Sequence, residues 1–220
     1  MEHQKLKDLI QRIKSGNFQQ IKSVFSVIDK IEENFVSNYH KRKKEGVYYT
    51  DEDISKFIVK EALLLLINKK LRSTNGDLTK IQKIEDIFNY DSAFKQKISN
   101  TLLGTKICDP ACGSGIFLLN SVEVFYNIIK RLEPAIVTLE IKKKLLKNLY
   151  GYDINEQAID LSILKLFKWY ADDEKEGLNE VISQLIENFK PRNTLIDSNL
   201  GKFDIIIGNP PYGNILNKSE

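Results

Sequence analysis

Between Thr105 and Ile207 short β-type runs alternate with longer helical patterns, and this alternation constrains the fold more than any other feature of the chain. Thr105-Lys106-Ile107-Cys108 reads as a strand, followed by a glycine-containing turn and a helix from about Gly115 to Leu132. After Pro134 a Lys-rich helix runs to about Asn148, and Leu149-Tyr150-Gly151-Tyr152 reads as a second strand. Helices from Asn155 to about Tyr170 and from Leu178 to about Phe189 follow. Thr194-Leu195-Ile196 and the run Phe203 to Ile207 supply two more strands. This order predicts an α/β fold with a parallel, doubly wound sheet. Ligands of such sheets bind at the carboxyl ends of the strands, near the point where strand order reverses.

The first part of the chain is helical. Leu6, Leu9, Ile10 and Ile13 repeat at helical spacing until Gly16-Asn17 breaks the pattern. Ile21, Val24, Phe25, Ile28, Ile31 and Phe35 line one face of a second helix, and both helices read as packing elements. A basic cluster, Lys41-Arg42-Lys43-Lys44, then leads into Gly46-Val47-Tyr48-Tyr49-Thr50. Thr50 with Asp53 three residues on resembles a capping box, which starts a long helix ending near Leu71. The expected organisation is a helical segment over 1–45 and a motif-bearing domain over 46–220.

Composition excludes several classes. Lys+Arg number 33 against 30 Asp+Glu, a net charge of +3 that by itself identifies no nucleic-acid binder. Phosphate contact rests instead on local clusters, Lys41 to Lys44 and Lys142-Lys143-Lys144 with Lys147, for which a solvated face is the alternative. The longest apolar run, Ala62 to Ile67, falls far short of the ~18 residues of a membrane span, and the N-terminus carries no signal core. A soluble, cytoplasmic chain is expected. Cys108 and Cys112 form no CxxC pair, and His3 and His40 lie far apart, so neither a disulfide scaffold nor a metal site is expected.

Asp109-Pro110-Ala111-Cys112-Gly113-Ser114-Gly115 follows a strand and opens a helix, with glycines that allow close approach to a ligand. A Walker loop needs a Lys after the last glycine, and none follows Gly115. A dinucleotide fingerprint needs a third small residue where Leu118 stands. S-adenosylmethionine is the reading that remains, with Asp109 near its methionine moiety. Asp153, at the end of the second strand, suits two ribose hydroxyls. Its bland alternative is a helix N-cap before Glu156. Asp197 similarly suits adenine's exocyclic amine, although Asp197-Ser198-Asn199 is also ordinary turn chemistry. Cys112 has no visible activating cluster and reads as a small buried residue, as does Cys108.

The strand from Phe203 closes in Gly208-Asn209-Pro210-Pro211-Tyr212-Gly213. Pro210 and Pro211 fix φ and remove two backbone donors, and Asn209 before a proline is driven extended. The turn thus presents the Asn209 amide oxygen and the Pro210 carbonyl, two acceptors for a planar amine with two N–H groups. Accepting both protons raises electron density on a nitrogen whose lone pair is otherwise delocalised, as in adenine N6. Tyr212 offers a face for stacking an extruded base. The bland alternative is a proline turn with a packing tyrosine.

Gly46 to Thr50, Asp109 to Gly115, Asp153, Asp197 and Asn209 to Tyr212, in this order, resemble the gamma-group N6-adenine DNA methyltransferases, which include type I modification subunits and combined restriction–modification enzymes. The resemblance spans roughly Lys41 to Gly213. It implies a Rossmann-like class I methyltransferase sheet, S-adenosylmethionine as methyl donor, and double-stranded DNA with a flipped adenine as substrate. It implies that Tyr49 and Thr50 lie beside the donor, that Asp109, Pro110, Ala111, Gly113 and Gly115 form its loop, and that Asp153 with Ile154 and Asp197 hold its nucleoside. Asn209, Pro210, Pro211 and Tyr212 would form the catalytic turn. A specificity or restriction subunit or domain is the implied partner.

Two departures qualify the resemblance. The family usually has Pro after the Tyr-Thr pair, where this chain has Asp51, a residue favoured by the helix dipole. The chain also runs only eight residues beyond Tyr212, so the sheet is expected to be truncated after its fourth strand, with an apolar edge exposed. Guanine-N2 RNA methylation, glutamine methylation, cytosine-N4 methylation and a non-catalytic donor-binding fragment are the competing readings.

Overall fold

The computed structural model describes residues 2–16, 21–37, 50–72, 81–136, 138–197 and 199–210. Strands β1 (Ile107–Asp109), β2 (Leu149–Asp153), β3 (Phe189–Pro191) and β4 (Ile205–Ile206) form one parallel sheet in the order β3-β2-β1-β4. Ile107 pairs with Leu149 on one side and Ile205 on the other, and Gly151 pairs with Phe189. The chain thus winds outward from β1 to β3, then returns to the other side of β1 for β4. The reversal point lies between β1 and β4, at their carboxyl ends. All three β1 residues are buried, as expected of a strand flanked on both sides within a parallel sheet.

Helices α1 (Glu2–Lys14), α2 (Ile21–Ser37), α3 (Glu52–Arg72), α4 (Ser92–Gly104), α5 (Ile116–Leu132), α6 (Thr138–Lys147), α7 (Glu156–Ala171) and α8 (Leu178–Asn188) surround the sheet. A 3-10 turn spans Ile84–Asn89. Helix α7 is buried on nearly every side because α1 and α2 cover its outer face. Leu6, Ile10 and Ile13 from α1 and Phe25, Ile28 and Ile31 from α2 supply that cover. Each such side chain stabilises the fold by roughly 1.5–3 kcal/mol relative to exposure. Glu32 and Asp29 of α2 pair with Lys165 and Lys168 of α7. No helix among the described residues is long and apolar enough to cross a membrane.

Helix α3 spans the β4 edge and is held at both ends. Lys70 lies 3.3 Å from the Asp204 carboxylate, just before β4, and Thr50 bonds Asn209, just after it. Near its start, Ser55 accepts a hydrogen bond from the buried Asn120 of α5. Ile54, Phe57 and Leu65 of α3 and Ile206 of β4 are exposed, and β4 is an edge strand among the described residues.

The third strand is not where β-propensity put it. Thr194 to Ile196 form a turn in which Leu195 and Ile196 are exposed, and β3 is instead Phe189–Pro191. Tertiary context decides the register: Phe189 lies against Gly151 so closely that a Cβ there would enter its ring. Pro191 is tolerated because β3 is an edge strand. The helix cap also moves by one residue. Asp51, not Thr50, caps α3: its carboxylate accepts from the Asp53 N–H at 2.9 Å and its carbonyl from the Ser55 N–H at 2.9 Å.

Candidate functional site

Asp109 ends β1, and its Oδ1 accepts the Ala111 N–H at 3.0 Å, which turns the chain at once. Gly113 (φ +52°) and Gly115 (φ +81°) then carry it through left-handed conformations into α5. Space differs at the two glycines. A Cβ at 115 would press on Ser162 Oγ at 2.9 Å, whereas one at 113 would meet nothing within 4 Å. The turn is braced from three sides. The Cys112 N–H donates to the Tyr152 carbonyl at 2.8 Å, Ser162 Oγ donates to the Gly113 carbonyl at 2.8 Å, and Thr194 Oγ1 donates to the Pro110 carbonyl at 2.9 Å.

Asp153 supplies a further brace. Its Oδ2 accepts the Gly113 N–H at 2.9 Å and its Oδ1 the Asn155 N–H at 2.8 Å. It does not cap α7; Asn155 does, accepting from the Gln157 and Ala158 N–H groups at 3.0 and 3.3 Å. The carboxylate thus fixes the geometry of the glycine turn and keeps lone pairs for another donor. Ile154 beside it is exposed. The Arg192 N–H donates to the Asp153 carbonyl at 2.8 Å, and Arg192 Nε lies 3.1 Å from Asp197 Oδ2. Asp197 Oδ1 accepts the Asn199 N–H at 3.1 Å. Asp197 is therefore tied to Asp153 through one arginine.

Asp109 is a buried carboxyl. It is 1% exposed, and its Oδ2 has no partner among the described residues. Burial pushes its carboxyl up to about 7; the Ala111 N–H opposes this and the nearby charge of Asp153 adds to it. Burial also pushes the Cys108 thiol up to about 12 and the Cys112 thiol well up, so both stay protonated at neutral pH and neither is an activated nucleophile.

The strand after β1 in the sheet completes the site. Gly208 follows β4 and lies directly against Asp109: a Cβ at 208 would sit 2.9 Å from Asp109 Cγ. Asn209 Nδ2 donates to Thr50 Oγ1 at 3.1 Å, and Pro210 follows, exposed. The fold thus brings Thr50, Asp109, Pro110, Ala111, Gly113, Gly115, Asp153, Ile154, Asp197, Asn209 and Pro210 to the carboxyl ends of the strands. Tyr49, Pro211, Tyr212 and the cluster Lys41 to Lys44 lie outside the described residues. The other lysine cluster is not a free basic face. Lys142 is buried against Asp173 at 2.6 Å, Lys143 pairs with Glu180 at 2.7 Å, and Lys147 precedes the amino end of β2, opposite the site.

Sequence patterns did not identify Gly208, Ser162, Thr194 or Arg192. Gly208 carried a signal, a glycine at the junction of an apolar strand and Asn-Pro-Pro. The other three act across 40 or more residues, or within a turn, and carried none.

Residues 147–220 match the Eco57I restriction-modification methylase family. The chain is 29% identical over 188 residues to a putative type II restriction enzyme and methyltransferase of Methanocaldococcus jannaschii, covering 74% of this chain and 16% of that protein. It is 24% identical over 221 aligned positions to the type II methyltransferase M.VspI of a Vibrio species, covering 100% of this chain and 37% of that protein. It is 26% identical over 202 residues to DNA methyltransferase A of Bacillus subtilis, covering 80% of this chain and 21% of that protein. The chain therefore spans 16–37% of the length of these relatives. In sequence the chain is thus similar to the Eco57I restriction-modification methylases over residues 147–220, and to these relatives over 74–100% of its own length.

Proposed function

We propose that the protein acts as an S-adenosylmethionine-dependent DNA methyltransferase of a restriction–modification system, modifying the N6 amine of an adenine swung out of the duplex. The observation that carries this reading is the junction of Asp109 and Gly208, where the glycine turn after β1 meets the Asn209-Pro210 turn after β4. Donor and acceptor loops in contact at the reversal point are what a direct methyl transfer needs. The relatives' names favour DNA over RNA as substrate.

The residues present fit the donor. Asp109 offers a buried, unpartnered oxygen to its ammonium group, and Gly113 leaves an open cradle. Asp153 retains acceptors for ribose hydroxyls, and Asp197, fixed by Arg192, retains one for the adenine amine. When bound, S-adenosylmethionine supplies a methyl group on a sulfonium sulfur, activated toward a nucleophilic nitrogen.

The acceptor side needs no covalent intermediate. Asn209 Oδ1 and the Pro210 carbonyl accept the two N–H groups of the target amine, which draws its lone pair out of conjugation with the ring. By the sequence resemblance, Pro211 would belong to the same catalytic segment and Tyr212 would offer its ring to the extruded base. The test is transfer of radiolabelled methyl groups from S-adenosylmethionine to unmethylated genomic DNA by the full-length protein, followed by nucleoside analysis. N6-methyladenine is the expected product. Label in N4-methylcytosine, or in RNA alone, would refute the reading.

A further inference from the structure

We propose that Thr50 is a positioning residue for the methyl-accepting turn, anchoring the Asn209 carboxamide in the orientation seen in the structure, with Nδ2 on the Thr50 hydroxyl and Oδ1 left for the target amine. This rests on the methyltransferase reading and moves Thr50 from the donor side, where the family resemblance puts it, to the acceptor side.

Asn209 has little backbone freedom, because it precedes Pro210 and follows β4. Its amide torsion is another matter. A terminal sp³–sp² torsion has broad, nearly two-fold wells, so an unanchored amide presents oxygen or nitrogen with little preference. Presenting nitrogen would set a donor against an amine that also donates. In the structure Asn209 Nδ2 donates to Thr50 Oγ1 at 3.1 Å, which leaves Oδ1 as the amide's outward acceptor.

Thr50 can serve this purpose because it does not cap the helix behind it. Asp51 takes that task, with its carboxylate on the Asp53 N–H and its carbonyl on the Ser55 N–H. The threonine hydroxyl is thereby released for Asn209, 159 positions further along the chain. Thr50 lies just before α3, whose first turn is joined to α5 through Ser55 and the buried Asn120.

Two substitutions at Thr50 test this. Thr50→Val keeps the shape and removes the hydroxyl, Thr50→Ser keeps the hydroxyl and removes the methyl group, and wild type is the reference. The side-chain NH2 signal of Asn209, assigned by its loss in Asn209→Asp, reports the bond directly in ¹⁵N-labelled protein. Thr50→Val should shift that signal and speed its hydrogen exchange, and Thr50→Ser should restore it. At saturating S-adenosylmethionine, Thr50→Val should slow single-turnover methyl transfer by the full-length protein about tenfold to a hundredfold, with donor affinity within about threefold of wild type. Thr50→Ser should recover most of the rate. An Asn209 signal unmoved by Thr50→Val would overturn the proposal, and so would loss of donor affinity in step with rate. A wild-type protein that transfers no methyl group refutes the methyltransferase reading instead, and with it the acceptor role of Thr50; the NH2 signal still reports the bond independently.

Discussion

Asp109 ends β1 and Gly208 lies two residues beyond β4, the strand beside it, and a side chain at 208 would occupy the space of the Asp109 carboxylate. One residue leads into Asn209-Pro210 and the other opens the glycine turn. Geometry at one loop is therefore a condition for geometry at the other.

Gly208→Ala should weaken S-adenosylmethionine, although position 208 is on the acceptor turn. The backbone there is not in the left-handed region, so alanine is objectionable only through its methyl group. The methyl must push Asp109 aside or tilt the chain after β4. Calorimetry should show at least about a tenfold loss of affinity in a variant that keeps its circular dichroism. Undiminished affinity would mean that the two loops are independent.

The raised carboxyl of Asp109 has a definite consequence for stability. Its folded value of about 7 exceeds the ordinary value of 3.8, so the folded chain holds a proton that the unfolded chain releases. The stabilisation is fully present below pH 4 and is lost as pH rises through 7. Asp109→Asn keeps an acceptor for the Ala111 N–H and removes the titration. Denaturation of the donor-free protein should therefore show wild type losing up to about 4 kcal/mol relative to Asp109→Asn between pH 4 and 8. Parallel curves would show that the buried carboxyl ionises freely. Pairing with a ligand ammonium requires the ionised form, so donor affinity should rise with pH up to about 7 in wild type and stay low throughout in Asp109→Asn.

Asp153 and Asn155 stand two residues apart and separate cleanly in their effects. Asn155→Ala removes the α7 cap and should cost about 1 kcal/mol of stability, with donor affinity nearly unchanged. Asp153→Ala removes the acceptor of the Gly113 and Asn155 N–H groups and should lower donor affinity at least about tenfold. A reversed pattern would return Asp153 to a capping role.

Asn209→Ala should reduce methyl transfer by about a hundredfold or more while donor affinity stays within a few-fold of wild type. Equal losses of affinity and rate would mean that the turn holds the donor and does not act on the amine.

How far the sequence was legible follows from the range of each interaction. β1, β2, β4 and the glycine turn were readable because each is local: an apolar run, then turn chemistry, within ten residues. The Asn209-Pro210 turn was readable for the same reason. β3 was not, because Phe189–Pro191 has one buried side chain and owes its conformation to Gly151 on the neighbouring strand. Thr194 to Ile196 has stronger β-propensity but no partner strand. The α3 cap falls one residue after Thr50, and the capping alternative for Asp153 falls on Asn155, since these residues are comparable caps by type and only the fold decides between them. Thr50 instead bonds Asn209, and Asp153 the Gly113 N–H.

The most direct test of the account is a calorimetric titration of S-adenosylmethionine into the folded protein, with Asp153→Ala in parallel. The account predicts saturable binding, at least about tenfold weaker in the variant. A folded wild-type protein that takes up no donor, or a variant that binds as tightly as wild type, would contradict a donor site at the ends of β1 and β2.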